Sequence, residues 1–200
     1  PSPHHQLWEF FTLGKKHLFY GTAFRWVDGE HFDPEKTPHF WSNERLQNLG
    51  ALMGQLHEDA SPLPPAIRQL LHHRPTPLPA YLEIALQHWP KHIHSLKQSF
   101  EAVIETVQAK WQAEKRDAQK CGLIHGDLHA GNLIAQGNRL VLFDFDDAHR
   151  GWWSQDIAVA FYHLKKNFEA LGQTFGSPEQ AQVLAGYRNH RNLPPDFETD

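Results

Sequence analysis

The apolar pattern of the chain changes at Cys121, and this change constrains the fold more than any other feature. Upstream, hydrophobic residues recur in steps of three and four. Downstream, short apolar pieces (Leu123-Ile124, Leu133-Ile134, Leu140 to Phe143) alternate with loops dense in Asp, Asn, His and Gly. Small strands of this kind present loops rather than forming a broad sheet. The turn residues Gln136-Gly137-Asn138 close one hairpin, and after Gly151 helical spacing returns with Ile157, Ala158, Phe161, Tyr162 and Leu164, then from Pro178 to Tyr187. The expected fold class is α+β.

The upstream half divides into pieces. From His17 to Val27 the aromatic-rich HLFYGTAFRWV predicts two short strands broken at Gly21 and closed by the turn Asp28-Gly29. Asn43 to Glu58 places Leu46, Leu49, Met53 and Leu56 at helical spacing, with Ser42 or Asn43 as N-cap. Prolines 62, 64, 65, 75, 77 and 79 then interrupt regular structure, leaving room for one short helix over residues 66–72. Helix resumes from Tyr81 to Trp89, and Phe100, Val103, Ile104, Val107 and Trp111 form an amphipathic stripe on a long one.

Composition narrows the classes of function. With 200 residues, 40% of them hydrophobic, the chain has enough apolar surface for one domain-sized core. The formal charge of -4, with 16 histidines counted neutral, offers no broad basic face for nucleic acid or anionic lipid. Cys121 is the one cysteine, which excludes an internal disulfide and a thiolate zinc cluster and fits a reducing, cytoplasmic setting. No apolar stretch approaches the roughly 20 residues of a membrane-spanning helix.

The chemistry concentrates in His125-Gly126-Asp127-Leu128-His129-Ala130-Gly131-Asn132 and, one hairpin later, in Phe143-Asp144-Phe145-Asp146-Asp147. Carboxylates gathered so closely repel one another unless a cation or proton neutralises them. Hard oxygen ligands of this type suit Mg²⁺ better than zinc. Phosphoryl transfer needs a carboxylate near the accepting hydroxyl, an amide ligand and a second carboxylate for the metal. Asp127, Asn132 and Asp144 follow the order and spacing of the kinase base, the metal-binding Asn and the metal-binding Asp. Histidines 72, 73, 88, 92 and 94 have suggestive spacings but no surrounding carboxylate pattern, so they read as solvated side chains.

The runs GLIHGDLHAGNLI and LVLFDFDDAHRGWWSQDIA resemble the aminoglycoside phosphotransferase and choline kinase group, small-molecule kinases with a protein-kinase-like fold. Gly126 after His125, and His129 two places after Asp127, match this branch rather than the protein kinases. The resemblance implies that residues 30–200 form the helical carboxy-terminal catalytic lobe, and that residues 1–29 are a remnant of the amino-terminal lobe and hinge. It makes Asp127 the base or orienter of the acceptor hydroxyl, and Asn132 and Asp144 the Mg²⁺ ligands, with Asp146 a further candidate. His125 and Asp156 would brace the loop, and His129 stands where a protein kinase holds a phosphate-contacting Lys. The backbone of Phe24, Arg25 and Trp26 falls where the family's hinge meets adenine. ATP and Mg²⁺ are the implied cofactors, and a small-molecule hydroxyl compound, aminoglycoside-, choline-, sugar- or homoserine-like, is the implied acceptor.

The family's glycine-rich loop, lysine and helix glutamate have no counterpart before Phe24, and Lys15 and Lys16 lie too close to the hinge to serve. The expectation is a fragment of a longer kinase, weakly active or inactive by itself. Three other readings compete: a bacterial Ser/Thr protein kinase of the same branch, a non-catalytic nucleotide-binding module, and a metal-dependent hydrolase built on the histidines. Trp152 and Trp153 are expected to anchor the following helix by packing, with lining of the acceptor pocket as the lesser alternative.

Overall fold

A computed structural model describes residues 8–13, 17–22, 26–60, 88, 96–193 and 197. The Pro-rich stretch, the helices expected over residues 66–72 and 81–89, and the hinge residues Phe24 and Arg25 lie outside the described residues. Ten elements of regular structure are described: strands β1 (Trp8–Leu13), β2 (His17–Thr22), β3 (Cys121–Ile124), β4 (Leu133–Gln136), β5 (Arg139–Leu142) and β6 (His149–Trp152), and helices α1 (Asn43–Asp59), α2 (Lys97–Glu114), α3 (Trp153–Ala170) and α4 (Ser177–Arg188). The architecture is α+β. The strands pair antiparallel in twos, β1 with β2, β3 with β6 and β4 with β5.

Helix α1 begins where its sequence says it should. The Ser42 side chain accepts from the Arg45 N–H, and Glu44 in the first turn complements the helix dipole. Its inner stripe, Leu46, Leu49 and Met53, joins Leu128, Leu133, Ile157, Ala160, Leu164, Val183 and Tyr187 in one core. Helix α4 packs against α1 at near backbone contact. A Cβ at Gly50 would lie 1.8 Å from the Val183 carbonyl oxygen, and one at Gly186 would lie 1.8 Å from that of Gln47. Only glycine permits this approach, and it brings Tyr187 fully inside the core.

The same helix carries the hairpin that supports the site. Buried Arg45 donates from Nε to the Gly137 carbonyl (2.8 Å) and from Nη1 to that of Phe40 (3.0 Å), and pairs with Glu30 at 2.7 Å. Asn48 donates to the Asn138 carbonyl at 2.8 Å. The β4–β5 turn is thereby tied to α1, while Glu30 bridges Ala135 on the other edge.

Four local expectations change. The first hairpin joins Trp8–Leu13 to His17–Thr22, with Gly21 inside β2 opposite Glu9 rather than breaking a strand. Asp28-Gly29 closes no hairpin, because Glu30 next to it pairs with the distant Ala135. Phe143 lies beyond β5 and is exposed, its backbone being used by the site. On α3 the buried line is Ile157, Ala160, Leu164 and Phe168, leaving Ala158 and Tyr162 exposed, and Val103 of α2 is likewise exposed. Apolar residues outnumber the positions that tertiary neighbours cover.

Candidate active site

Each site residue emerges from the end of a short strand. After β3, Gly126 adopts φ +86, a left-handed conformation that glycine reaches without a Cβ penalty, and the chain turns sharply into Asp127. A Cβ there would meet the Asp147 carbonyl oxygen at 2.6 Å, so Gly126 also lets the two acidic loops approach. The His129 side chain accepts from the Gly131 N–H through Nδ1 (2.9 Å) and caps a single 3-10 turn over Ala130–Asn132. That turn delivers Asn132 to the start of β4.

The Asn132 amide nitrogen donates to the Asp127 backbone carbonyl (2.9 Å) and to Asp127 Oδ2 (3.3 Å). This orientation leaves the amide oxygen on the other side, available as a hard ligand. His129 Nε2 lies 3.2 Å from the same Asp127 Oδ2. With Nδ1 accepting from Gly131, the neutral ring carries its proton on Nε2, the nitrogen that faces the Asp127 carboxylate. Both contacts fall on Oδ2, and among the described residues none falls on Oδ1.

His125 is buried and serves the loop. The Asp127 N–H approaches its Nδ1 at 3.3 Å, and its Nε2 lies 3.1 Å from the Phe143 carbonyl oxygen. The Phe143 N–H in turn donates to the Asn132 carbonyl at 3.1 Å. Phe143 therefore joins the two loops through its backbone, and Asp144 is the next residue in the chain. Asp144 has φ 62, the one non-glycine residue with positive φ among those described. Asp tolerates this region better than most residues, and such outliers concentrate at functional loops. Asp144, Asp146 and Asp147 are all exposed.

The loop is braced from beneath. Asp156, fully buried in the first turn of α3, accepts from the His125 N–H through Oδ2 and the Gly126 N–H through Oδ1, both at 2.8 Å. It also faces His57 Nε2 at 3.0 Å, and His57 Nδ1 lies 2.8 Å from the Tyr187 hydroxyl. His57 and Tyr187 received no role from the sequence, being far apart in the chain and resembling core residues of amphipathic helices. A second omission is His163 of α3, whose ring centroid is 5.2 Å from that of His129. Partial burial, and then the neighbouring His129, hold its pKa below the usual imidazole value.

Trp26 is 83% exposed, with its indole donating to Asp28 at 2.8 Å. Trp153 is buried beneath Arg191 and against His57. With Trp152 it lines a cavity of about 580 Å³ that also touches Ser154, Ala158 and Phe161 of α3. Those residues lie on a different face of α3 from Asp156 and His163, which meet the loop from His125 to Asn132. Among the described residues no three His, Cys, Asp or Glu side chains are grouped to hold a metal; histidines 72, 73, 92 and 94 lie outside the described residues.

Comparison with known proteins adds to this geometry. The amicoumacin kinase of Bacillus subtilis (strain 168) is 40% identical over 43 residues, 22% of this chain and 13% of that protein. Solved structures share the fold at low identity. An amicoumacin kinase in complex with AMP-PNP, Ca²⁺ and Ami superposes with a TM-score of 0.69 at 20% identity, covering 98% of this chain and 58% of the other. A microcompartment-associated aminopropanol kinase gives 0.55 at 21% identity, covering 99% and 60%. An AMP-bound spectinomycin phosphotransferase gives 0.57 at 18%, covering 96% and 60%. The chain thus spans about three-fifths of the length of these solved relatives. A family model matches residues 3–196, and with nearly the whole chain aligned to it, the protein belongs to the phosphotransferase enzyme family.

Proposed function

We propose that the protein containing this chain is an ATP- and Mg²⁺-dependent phosphotransferase acting on a hydroxyl group of a small molecule. The reading is supported above all by the loading of the Asp127 carboxylate. Asn132 donates to Oδ2 and His129 Nε2 lies 3.2 Å from the same oxygen, which leaves Oδ1 to receive the acceptor's hydroxyl proton. The acceptor oxygen then bonds to the γ-phosphorus as the bond to the bridging oxygen breaks, with ADP as leaving group.

Asn132 and Asp144 supply hard oxygens on adjacent loops, a donor set suited to a small divalent cation, and Asp146 extends it on the exposed side. Bound there, the cation would neutralise charge on the phosphates. Asp156 and His125 hold the loop, so Asp127 does not have to be ordered anew at each turnover. The backbone at Phe24, Arg25 and Trp26 is the proposed adenine contact. The named relatives act on antibiotics and amino alcohols, so the acceptor classes to test are aminoglycosides, other aminated antibiotics, choline-like and shorter amino alcohols, sugars and homoserine. A cytoplasmic location is part of the proposal, supported by a single cysteine, Cys121, which is free and buried. No described helix is long and apolar enough to cross a membrane.

The deciding experiment is an ATP-consumption screen of the full-length protein against these acceptors and against protein substrates, with Asp127→Asn in parallel. Acceptor-dependent ADP release that falls by roughly a thousandfold in the variant, with nucleotide binding retained, is expected. Phosphorylation of proteins alone would replace the small-molecule reading. Full turnover by the variant would remove Asp127 from its role.

A further inference from the structure

The buried chain of contacts behind the loop does not end at Asp156, and its far end has a definite chemical task. Asp156 already accepts from two backbone N–H groups, so a carboxylate there needs a donor, not a lone pair, from His57 Nε2 at 3.0 Å. If Nε2 carries the proton, Nδ1 is a bare acceptor in a fully buried ring. The Tyr187 hydroxyl lies 2.8 Å from it. We propose that Tyr187 is a positioning residue: its O–H donates to His57 Nδ1, selects the Nε2–H form of the ring, and so holds Asp156 and the His125–Gly126 backbone in register for the reaction at Asp127.

The opposite tautomer would turn a nitrogen lone pair toward the carboxylate and make the phenol an acceptor, which costs the central bond of the chain. The surroundings of Tyr187 favour the donor. Its ring is fully buried, and burial raises its pKa well above the usual phenol value; the charged groups around it are Arg191, Asp156 and Glu58. Its position depends on the glycine contacts between α1 and α4, so α4 is linked to catalytic geometry without touching a substrate. A change of phenol to phenyl alters no apolar contact, which makes the role separable from packing. The catalytic part of this inference rests on the phosphotransferase reading, whereas the proton arrangement does not.

Three measurements on the full-length protein test it. Imidazole ¹⁵N NMR at neutral pH should show His57 protonated on Nε2 and hydrogen-bonded at Nδ1, and Tyr187→Phe should abolish the Nδ1 signature. The variant should lose roughly tenfold in kcat with KM for ATP little changed, and the His125 and Gly126 amides should exchange faster while the rest of the core does not. In a His57→Gln background, which keeps a donor toward Asp156 but has no ring to select, the same substitution should add less than about twofold. A wild-type ring protonated on Nδ1, unchanged kcat and amide exchange in Tyr187→Phe, or accelerated exchange throughout the core would each overturn the proposal. Should no acceptor be phosphorylated by the parent protein, the phosphotransferase reading fails, and NMR and exchange still decide the proton arrangement.

Discussion

The two acidic loops of the site are held in opposite ways. The loop from His125 to Asn132 is anchored from inside: buried Asp156 binds two of its amides, and His57 and Tyr187 stand behind Asp156. The loop from Phe143 to Asp147 lies at the surface, with exposed carboxylates and Asp144 in a left-handed conformation. Its ties to the first loop run through the backbone of Phe143 and the ring of Phe145, which packs edge-on against His125 at 4.7 Å. The difference follows the proposed chemistry. A residue that accepts a proton must be placed to a fraction of an ångström before substrate arrives, whereas metal ligands can complete their order as the cation and its phosphates bind.

Breaking the inner anchor should give the largest effect. Asp156→Ala leaves two backbone N–H groups and His57 without their acceptor, and a loss of about 3 kcal/mol or more in urea unfolding is expected. A loss below 1 kcal/mol would mean the loop is held by something else. Gly126→Ala comes next, because φ +86 and the 2.6 Å approach to the Asp147 carbonyl are both incompatible with a Cβ. We expect about 1–2 kcal/mol from the backbone alone, together with reduced turnover as the loops are pushed apart.

The outer loop should respond differently. Asp144→Asn retains a residue that tolerates left-handed φ, so metal-free melting should not change, while divalent cation affinity in the nucleotide complex drops by roughly tenfold. Titration with Mn²⁺ in the presence of nucleotide measures this, and unaltered affinity would remove Asp144 from the ligand set.

The smallest effect concerns acid. His163 has a folded-state pKa held below 6.5 by burial and His129, so the unfolded chain binds the proton more readily. Its contribution is fully present above pH 6.5 and is lost as pH falls through the folded value. His163→Gln should therefore flatten part of the decline in urea midpoint between neutral and mildly acidic pH. An identical pH profile in the variant would assign that decline to other groups.

The parts of this molecule that were readable in the sequence are those whose cause is local. Ser42 caps α1 through Arg45 three residues on, the apolar spacing of Leu46, Leu49 and Met53 places that helix, and Gly137-Asn138 turns the β4–β5 hairpin. The order Asp127, Asn132, Asp144 was likewise visible because the loops are contiguous stretches. The first hairpin was misplaced because aromatic-rich segments on both sides of Lys15 and Lys16 have strand propensity, and pairing, not propensity, chooses the register. The exposed face of α3 was misjudged for a related reason. Helical period identifies a stripe, but Ala158 and Tyr162 differ from Ala160 and Leu164 only in what neighbouring elements cover them.

By itself, then, the sequence determined the β4–β5 hairpin and the helices that follow Gly151, the identity of the acidic loops and the family to which they belong, but not strand β6, which exists by pairing with β3. Tertiary structure alone added His57 and His163 to the histidines that matter and decided how all four are partnered. His57, His125, His129 and His163 are chemically identical in the chain, and each acquires its task from a partner: Asp156 and Tyr187, the Phe143 carbonyl, Asp127, and the ring of His129. An imidazole's tautomer and charge are set by the groups that reach its two nitrogens. For His57 those groups lie on α3 and α4, and folding alone brings them to it.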